Sequence, residues 1–291
     1  MARFALVAIA WTMLCPVQAE MVHAGTLSQI AESGVIRAGT RADAVPFAYL
    51  AEDGKPEGFS VDLIEEIRAA AEARLGRPVR TELSRVTPAN RLQMVASGAL
   101  DIVCEITTPT WDREKLVDFS VPFFRDGTRI LAFRDTLKTT PEIKDMTIGV
   151  AEGTTTGDIL TEALPGMVTR SYPSMDEAFA ALRSGEVQGV ANIGIILLGL
   201  SRKLEPDRSV VLLPRTEPLG NETMACMLPQ DDSEWRDFVN ATIIGLTRDL
   251  ADYRGRYMQI YDKWFGREGR LVYPLDRSTR DYLLHANIWA R

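Results

Sequence analysis

The chain has 291 residues, of which 46% are hydrophobic and 25% are charged, so it can fill one large core or two ordinary ones. Its net charge is −7 and it contains no block of basic residues, which argues against nucleic acid as a partner. Only two histidines are present. The histidines needed for a zinc site or for a histidine-based nucleophile triad are therefore almost absent, and we expect neither a metal nor a cofactor.

Residues 1–24 have the pattern of a cleavable secretory signal. Arg3 precedes an apolar run, residues 4–14, that is too short to cross a bilayer as a helix. Small residues lie at the positions required for cleavage both after Ala19 and after Ala24, and the mature chain is taken to begin after Ala24. Cys15 suggests a lipid anchor as an alternative, but the small residue expected before a lipidated cysteine is missing. No later run reaches the roughly 18 apolar residues of a membrane span, so the mature protein is predicted to be soluble.

The first half of the mature chain alternates between strand-like and helix-like segments. A β-rich run at residues 35–39 precedes a helix at 61–75, whose apolar residues recur at three- and four-residue spacing. Ser60 is the expected N-cap of this helix, and Gly76 its end. The next predicted elements are a strand at 79–83, a short helix that contains Arg91 and Val95 and stops at Gly98, and a strand at 101–106.

A second, similar unit begins near Thr147. A buried strand at 147–151 runs into a Gly- and Thr-rich loop at 153–157, and a helix is expected from Asp158. The sequence Ser-Met-Asp-Glu at 174–177 fits a capping box that opens a helix ending at Gly185. The remaining predictions are strands near 188–192 and 209–213 and a polar boundary segment at 135–144.

This alternation predicts an α/β fold with mainly parallel sheets covered by helices. Ligands of such sheets bind beyond the carboxyl ends of the strands. Several polar residues lie at those ends and form a candidate anion site: Arg41, Thr107, Thr108, Thr154 and Thr155.

Each candidate also has a purely structural interpretation. Arg41 and Arg91 fit solvated surface positions, and Arg113 lies in a charged run that fits an exposed helical turn. Phe47 fits a hydrophobic core. The loop at 153–157 lacks the lysine of a phosphate-binding loop, so nucleotide binding is not expected. Only the joint position of these residues at strand ends favours function.

Two cysteines remain after the predicted cleavage, Cys104 and Cys226. In an oxidising compartment such a pair forms a disulfide if the two residues meet in the fold. Two separate buried thiols are the alternative, and the sequence leaves both open.

Seven stretches, taken in order, resemble the bacterial extracellular solute-binding proteins of family 3, and most closely the glutamate/aspartate-binding branch. The resemblance covers nearly the whole mature chain. The stretches are residues 39–49, 58–63, 90–124, 148–158, 182–185, 222–228 and 261–265.

The resemblance implies a type II, Venus-flytrap fold in which two α/β lobes are joined by two hinge strands. The first lobe would comprise residues 25–132 and 227–291, and the second residues 133–226. Hinges are expected at 130–134 and 223–226. The protein would be a monomer that works in the periplasm with the permease of an ABC transporter.

The resemblance also assigns roles to the candidate residues. Arg113, with Thr108, would bind the α-carboxylate of an amino acid, and Thr155 with its neighbours would add donors from the second lobe. Arg41 and Arg91 match positions that hold a side-chain carboxylate. The full predicted ligand-binding set is Arg41, Phe47, Arg91, Thr107, Thr108, Arg113, Thr154, Thr155 and Asn192.

The chain departs from the family at the site for the ligand's ammonium group. Ile193 and Gly194 stand where an acidic residue is expected, and the neighbouring Asn192 is uncharged. Because an unpaired buried ammonium is costly, either another acid supplies the partner or the ligand carries no ammonium. Three further departures are Met175 in place of histidine, and Pro88 and Ile106 in place of hydroxyl residues.

The expected function is capture of an anionic solute, either an acidic or polar amino acid or a related dicarboxylate, for transport. A lyase of the cyclohexadienyl dehydratase type, which the same fold supports, is the alternative. Glu105 and Glu152 would then be the candidate acid or base. A ligand-sensing receptor module is a third possibility, which the lack of a membrane anchor disfavours.

Overall fold

The computed structural model describes residues 25–139 and 143–286. The predicted signal, with its cleavage point and Cys15, lies outside the described residues, as do residues 140–142 of the predicted boundary segment. In the part of the chain that is described, no helix combines the length and apolar character needed to cross a bilayer.

Helices occur along the whole described chain, and two single-turn 3₁₀ helices, Ile143–Asp145 and Leu250–Asp252, accompany them. The helices are α1 (Thr26–Ser33), α2 (Phe59–Leu75), α3 (Arg91–Ala96), α4 (Trp111–Glu114), α5 (Thr136–Thr139), α6 (Thr156–Ala163), α7 (Met175–Ser184), α8 (Gly194–Leu204), α9 (Ser233–Leu246), α10 (Gly255–Phe265) and α11 (Arg277–Ala286).

Most strands are short, and one, β7, is long enough to serve two sheets. The strands are β1 (Val35–Thr40), β2 (Asp43–Ala44), β3 (Ala48–Leu50), β4 (Pro56–Glu57), β5 (Arg80–Arg85), β6 (Asp118–Phe119), β7 (Phe124–Phe133), β8 (Thr147–Ala151), β9 (Val168–Tyr172), β10 (Gly189–Ile193), β11 (Val210–Leu213), β12 (Asn221–Met224) and β13 (Met227–Leu228).

Local sequence signals predicted several elements well. The strand at 147–151 is confirmed as β8. Ser174 is confirmed as the N-cap of the predicted capping box, because its hydroxyl accepts the backbone N–H of Glu177 at 3.2 Å, and α7 ends at Gly185 in the left-handed region. A hydroxyl acceptor at the start and a glycine at the end satisfy helix termini through short-range geometry alone.

The predicted N-cap of α2 is wrong. The helix begins at Phe59, and Ser60 lies inside it. The first N–H groups are satisfied instead by the carbonyls of Pro46 at 3.1 Å and Phe47 at 2.9 Å. Gly58 permits this close approach, since it has φ of 143° and a Cβ there would lie 2.1 Å from the Phe47 carbonyl oxygen.

The predicted strand at 101–106 is reduced to two isolated bridges. Ile102 pairs in parallel with Ala38 of β1, and Val103 pairs antiparallel with Met227 of β13. The segment thus lies between two strands but contacts each at a single residue. It links the parallel pair β1–β5 to the antiparallel pair β13–β6 in the sheet of the first lobe.

The second lobe is built on one mixed sheet with the strand order β11-β7-β10-β8-β9. Strands β8, β9 and β10 are parallel, as predicted. Strand β7 runs antiparallel to β10 and β11 because it enters this sheet from the first lobe. The two-lobed α/β fold class is confirmed, although the sheet of this lobe is only partly parallel.

Two neighbouring strands connect the lobes. Residues 124–127 of β7 pair with residues 221–224 of β12. The predicted first hinge lies further along, at 130–134, but Ile130 pairs there with Ala191 and Leu213 inside the sheet of the second lobe. This pairing places the first crossing near Gly127, whereas the second predicted hinge overlaps β12. We therefore propose a lobe boundary nearer to residue 127 than to residue 132.

Cys104 and Cys226 form a disulfide across 122 residues of chain. The bond joins the segment that follows Val103 to the residues that follow β12, directly beside the crossing between the lobes. Of the two alternatives left open by the sequence, the fold selects the disulfide because both cysteines are fully buried at one place.

Removing this disulfide should destabilise the protein. A C104A/C226A variant is expected to lose about 2–5 kcal/mol of unfolding free energy, since the bond closes a long loop in the unfolded chain. Urea unfolding of the oxidised wild type and the variant measures this. Reductant should lower the urea midpoint of the wild type and leave that of the variant unchanged. A wild-type midpoint that does not change with reductant would show that the disulfide is not stabilising.

Candidate functional site

A small pocket lies between the lobes, and both contribute to its wall. The first lobe supplies Arg41, Arg91, Ile106, Thr108 and Arg113. The remaining lining residues are Thr154, Thr155, Thr156, Asn192 and Ile193 from the second lobe and Glu222 from the crossing strand β12.

The strand ends explain why these residues meet. Arg41 directly follows β1, and Thr108 follows the segment that pairs with β1. Thr154 and Thr155 lie between β8 and α6, and Asn192 is at the end of β10. The carboxyl ends of parallel strands thus face one cleft, as expected for α/β sheets.

Seven of the nine predicted residues line this pocket, and two do not. Phe47 is fully buried in the aromatic core of the first lobe, with its ring centroid 4.8 Å from that of Phe124 and 5.4 Å from that of Phe265. Phe47 is therefore better described as a residue of the hydrophobic core than as a ligand contact. Thr107 is also fully buried, and its hydroxyl has no hydrogen-bond partner among the described residues.

Arg41 is held in place by an ion pair. Its side chain is 3% exposed, and its Nε donates to Asp43 at 2.8 Å. Burial opposes both charges, but their mutual attraction outweighs it: the pKa of Arg41 is raised and that of Asp43 is lowered. One terminal nitrogen of Arg41, Nη2, is buried without a hydrogen-bond partner among the described residues. The structural interpretation of Arg41 as a solvated surface residue is therefore wrong.

Arg91 carries the least compensated positive charge of the pocket. Its side chain is 3% exposed, and its Nη1 donates to the Ile106 carbonyl at 3.0 Å. Burial, followed by repulsion from Arg41 and Arg113, lowers the pKa of Arg91 well below its ordinary value. Since a guanidinium remains protonated in proteins, this shift indicates a charge that an anion would stabilise.

Arg113 bridges the two lobes. Its Nη1 donates to the Thr108 carbonyl at 2.6 Å in the first lobe, and its Nη2 donates to the Gly153 carbonyl at 3.0 Å in the second. Burial lowers the pKa of Arg113, and Glu222 and Asp158 partly oppose this effect. Each terminal nitrogen carries a second N–H, so a planar carboxylate can still be bound.

Glu222 is a pocket residue that the sequence reasoning missed. Its carboxylate is 3% exposed. It accepts the hydroxyl protons of Thr108 at 2.8 Å, Thr128 at 2.5 Å and Thr155. The available signal was a single acid within the otherwise uncharged stretch 221–228, at a predicted crossing between lobes.

The bonds to Glu222 change the expected role of two threonines. Thr108 and Thr155 were predicted to donate to a ligand carboxylate, but in this structure each gives its one hydroxyl proton to Glu222. Each hydroxyl oxygen can then act only as a hydrogen-bond acceptor toward a ligand or another group. The wall around Glu222 therefore consists of acceptors, while donors are concentrated at the arginines.

The second lobe shows no acid where the resemblance expects one. Ile193 is buried in the pocket wall. Asn192 uses its Oδ1 to accept the backbone N–H of Ile193 at 2.8 Å, which leaves it a weak acceptor for an ammonium. The Thr154 hydroxyl donates to the Ala151 carbonyl at 2.7 Å and so stabilises its own loop.

Glu105 lies behind the arginines rather than on the pocket wall. It is fully buried, and its Oε1 accepts the backbone N–H of Arg41 at 3.1 Å. Its Oε2 has no hydrogen-bond partner among the described residues. Burial raises the pKa of Glu105 to about 7, and attraction to Arg41 offsets this only in part.

Across residues 25–139 and 143–286, no cluster of three or more His, Cys, Asp or Glu is placed to hold a metal.

Glu105 should make stability depend on pH. Its pKa is higher in the folded state than the ordinary 4.5, so the folded state binds more protons and unfolding free energy falls as pH rises from about 4.5 to about 7. Each unit of pKa difference corresponds to about 1.4 kcal/mol. Glu105→Gln should flatten this decline in urea unfolding at pH 5 to 8, while Glu152→Gln, at an exposed position, should not. Identical slopes for wild type and Glu105→Gln would refute the assignment.

Comparison with known proteins gives the same picture. The profile of bacterial extracellular solute-binding proteins, family 3, matches residues 36–267. The L-glutamate/L-aspartate-binding protein of Pseudomonas aeruginosa is 32% identical over 265 residues, or 88% of this chain and 85% of that protein.

Solved structures are similar in fold as well. A solute receptor for L-cysteine of Neisseria gonorrhoeae has a TM-score of 0.70 at 26% identity, covering 82% of this chain and 93% of that one. An ancestral amino acid-binding protein, described as a precursor of cyclohexadienyl dehydratase, has a TM-score of 0.69 at 26% identity, covering 83% and 100%. The resemblance found in the sequence is confirmed, and the chain belongs to the bacterial extracellular solute-binding proteins of family 3.

Proposed function

We propose that this protein is the periplasmic binding component of an ABC transporter and that its solute is an anion, with acidic amino acids as the first candidates. The family and its relatives support an ABC solute-binding role for amino acids. The anionic nature of the ligand is inferred from one observation, the convergence of Arg41, Arg91 and Arg113 on one pocket between the lobes.

Electrostatics favours a ligand with more than one negative group. Burial and the two neighbouring arginines destabilise the charged guanidinium of Arg91. Within residues 25–139 and 143–286, Arg41 is the one of these three arginines with a direct carboxylate partner, Asp43. Arginine binds carboxylates through parallel N–H bonds. Together with Asp43 beside Arg41, one carboxylate placed at Arg113 and another between Arg41 and Arg91 would balance the three positive charges.

Closure of the lobes is the proposed capture step. The hydrogen bond from Arg113 Nη2 to the Gly153 carbonyl joins opposite lobes. A ligand that binds residues of both lobes stabilises the closed arrangement relative to the open one, and its affinity depends on that difference. We propose that the closed monomer then docks on its permease.

A lyase remains the second candidate because Glu105 has a pKa of about 7, which suits a general acid. Its position argues against this role, since Glu105 does not line the pocket and Glu152 is exposed. Incubation with prephenate should therefore give no detectable product by chromatography, with a known dehydratase as positive control. Formation of phenylpyruvate by the wild type, but not by Glu105→Gln, would establish the lyase instead.

Ligand binding should raise the melting temperature, and Arg113 should be required. An acidic amino acid or dicarboxylate at 100 times its dissociation constant is expected to add about 2.7 kcal/mol of stability. A thermal-shift screen of amino acids and dicarboxylates measures this. Arg113→Ala should abolish the shift, because a bidentate carboxylate partner and a bridge between lobes are lost.

Arg248→Ala is the matched control, since Arg248 is exposed and outside the pocket. This variant should keep the full shift. A wild-type response in Arg113→Ala would remove Arg113 from the site.

A further inference from the structure

We infer that Glu222 is the acceptor for a ligand ammonium group and that it takes over the task of the acid missing at Ile193. This inference rests on the proposed function and narrows it: the ligand is a zwitterionic acidic amino acid rather than a dicarboxylate without an amino group. The ammonium site thereby moves from the second lobe to the strand that crosses between the lobes.

The state of Glu222 points to a cation. Its carboxylate is 3% exposed and lines the pocket. Within the described residues, its hydrogen-bond partners are three neutral hydroxyl groups, those of Thr108, Thr128 and Thr155. Buried carboxylates are normally paired with a positive group, and hydroxyl bonds compensate the lost hydration only in part. Arg113 attracts Glu222 electrostatically, but the two share no hydrogen bond or ion pair in the described structure. A ligand ammonium in the pocket would be the direct positive partner of Glu222.

The hydroxyl groups add to this preference. Thr108 and Thr155 give their protons to Glu222, so each can only accept from a pocket ligand. Glu222 and the two hydroxyl oxygens together offer three acceptors at one end of the pocket. An ammonium has three N–H donors and no acceptor, which matches this set in number and sign.

The anion-binding end is adjacent. Thr108 contacts Glu222 through its hydroxyl and Arg113 through its carbonyl oxygen. Acceptors for an ammonium and donors for a carboxylate are therefore separated by a single residue. The α-ammonium and α-carboxylate of an amino acid are separated by a single carbon, so one α-amino acid head group would contact both sets.

The location also couples recognition to closure. Glu222 lies on β12 opposite Asp126 of β7, in the pair of strands that joins the lobes. Thr108 belongs to the first lobe and Thr155 to the second, and both donate to the Oε2 of Glu222. An ammonium bound there would contact both lobes at their crossing.

Two other acids close to the pocket, Asp126 and Glu105, do not fit this role, and Asp43 is already paired with Arg41. Asp126 accepts the backbone N–H of Ile195 at 2.9 Å and the Tyr273 hydroxyl at 3.2 Å, which fixes it at the start of α8. Glu105 lies behind Arg41 and does not line the pocket. Glu222 is the carboxylate on the described pocket wall.

Isothermal titration calorimetry with ligand pairs that differ only in the amino group tests the inference. The pairs are L-glutamate with glutarate and L-aspartate with succinate, measured on wild type, Glu222→Gln and Asp126→Asn. The wild type should bind one amino acid at least about 100-fold tighter than its deaminated partner. Glu222→Gln should reduce this preference to less than about 10-fold, mainly through weaker binding of the amino acid.

Asp126→Asn is the matched control, because it removes one negative charge from the paired position of the same two strands and does not touch the pocket. It should retain the preference. If Glu222→Gln does not fold, as judged by its unfolding transition, Thr155→Val replaces it. This change removes one acceptor without altering charge and should lower the preference by roughly 10-fold; an unchanged preference would overturn the inference.

The other outcomes are also decisive. Equal binding of an amino acid and its deaminated partner by the wild type would overturn this inference and leave the proposed anionic solute standing. If Glu222→Gln weakens the binding of the amino acid and of its deaminated partner equally, Glu222 has a structural role and the inference is overturned as well. Failure of the wild type to bind any of the four compounds would overturn the proposed acidic ligand and this inference together.

Discussion

Confinement of like charges between two lobes is the constraint on which the rest of the site depends. Arg41, Arg91 and Arg113 line one small pocket, and the first two are almost fully buried. Burial and mutual repulsion lower the pKa of Arg91 and would disfavour this arrangement if nothing opposed it. Asp43 holds Arg41 directly, and Glu105 and Glu222 oppose part of the effect on Arg91 and Arg113. The proposed anionic ligand would supply further compensation.

The scaffold around the charges is stiff where the lobes meet. Strands β7 and β12 cross side by side, and the disulfide ties Cys104, next to Glu105, to Cys226, four residues beyond Glu222. The backbone N–H of Ala225 also donates to the carbonyl of Thr107 at 3.2 Å. The first-lobe segment that carries Thr108 is thereby fixed to the strand that carries Glu222. The residues of the crossing and of the first lobe are therefore joined covalently and by a backbone hydrogen bond, so the proposed closure would move the second lobe relative to both.

The same organisation gives the pocket two ends of opposite character. Arginine N–H groups dominate one end, and the Glu222 carboxylate with its threonines dominates the other. The second lobe adds apolar surface through Ile193. If Glu222 is the ammonium acceptor, as inferred, the chain keeps the family architecture and moves this contact from the second lobe to the strand that crosses between the lobes.

The sequence by itself determined the elements whose signals are local. The strand at 147–151 and the capping box at Ser174 are set by neighbouring residues, and the strand-end positions of Arg41, Thr108 and Thr155 follow from that order. Only the tertiary structure decided the partners of Glu222, the burial of Glu105 and Phe47, and the pairing of Cys104 with Cys226. It also placed the crossing near Gly127 and satisfied the start of α2 with carbonyls of Pro46 and Phe47. These features join residues far apart in the chain, and their energies depend on burial and distance, which no local pattern of side chains encodes.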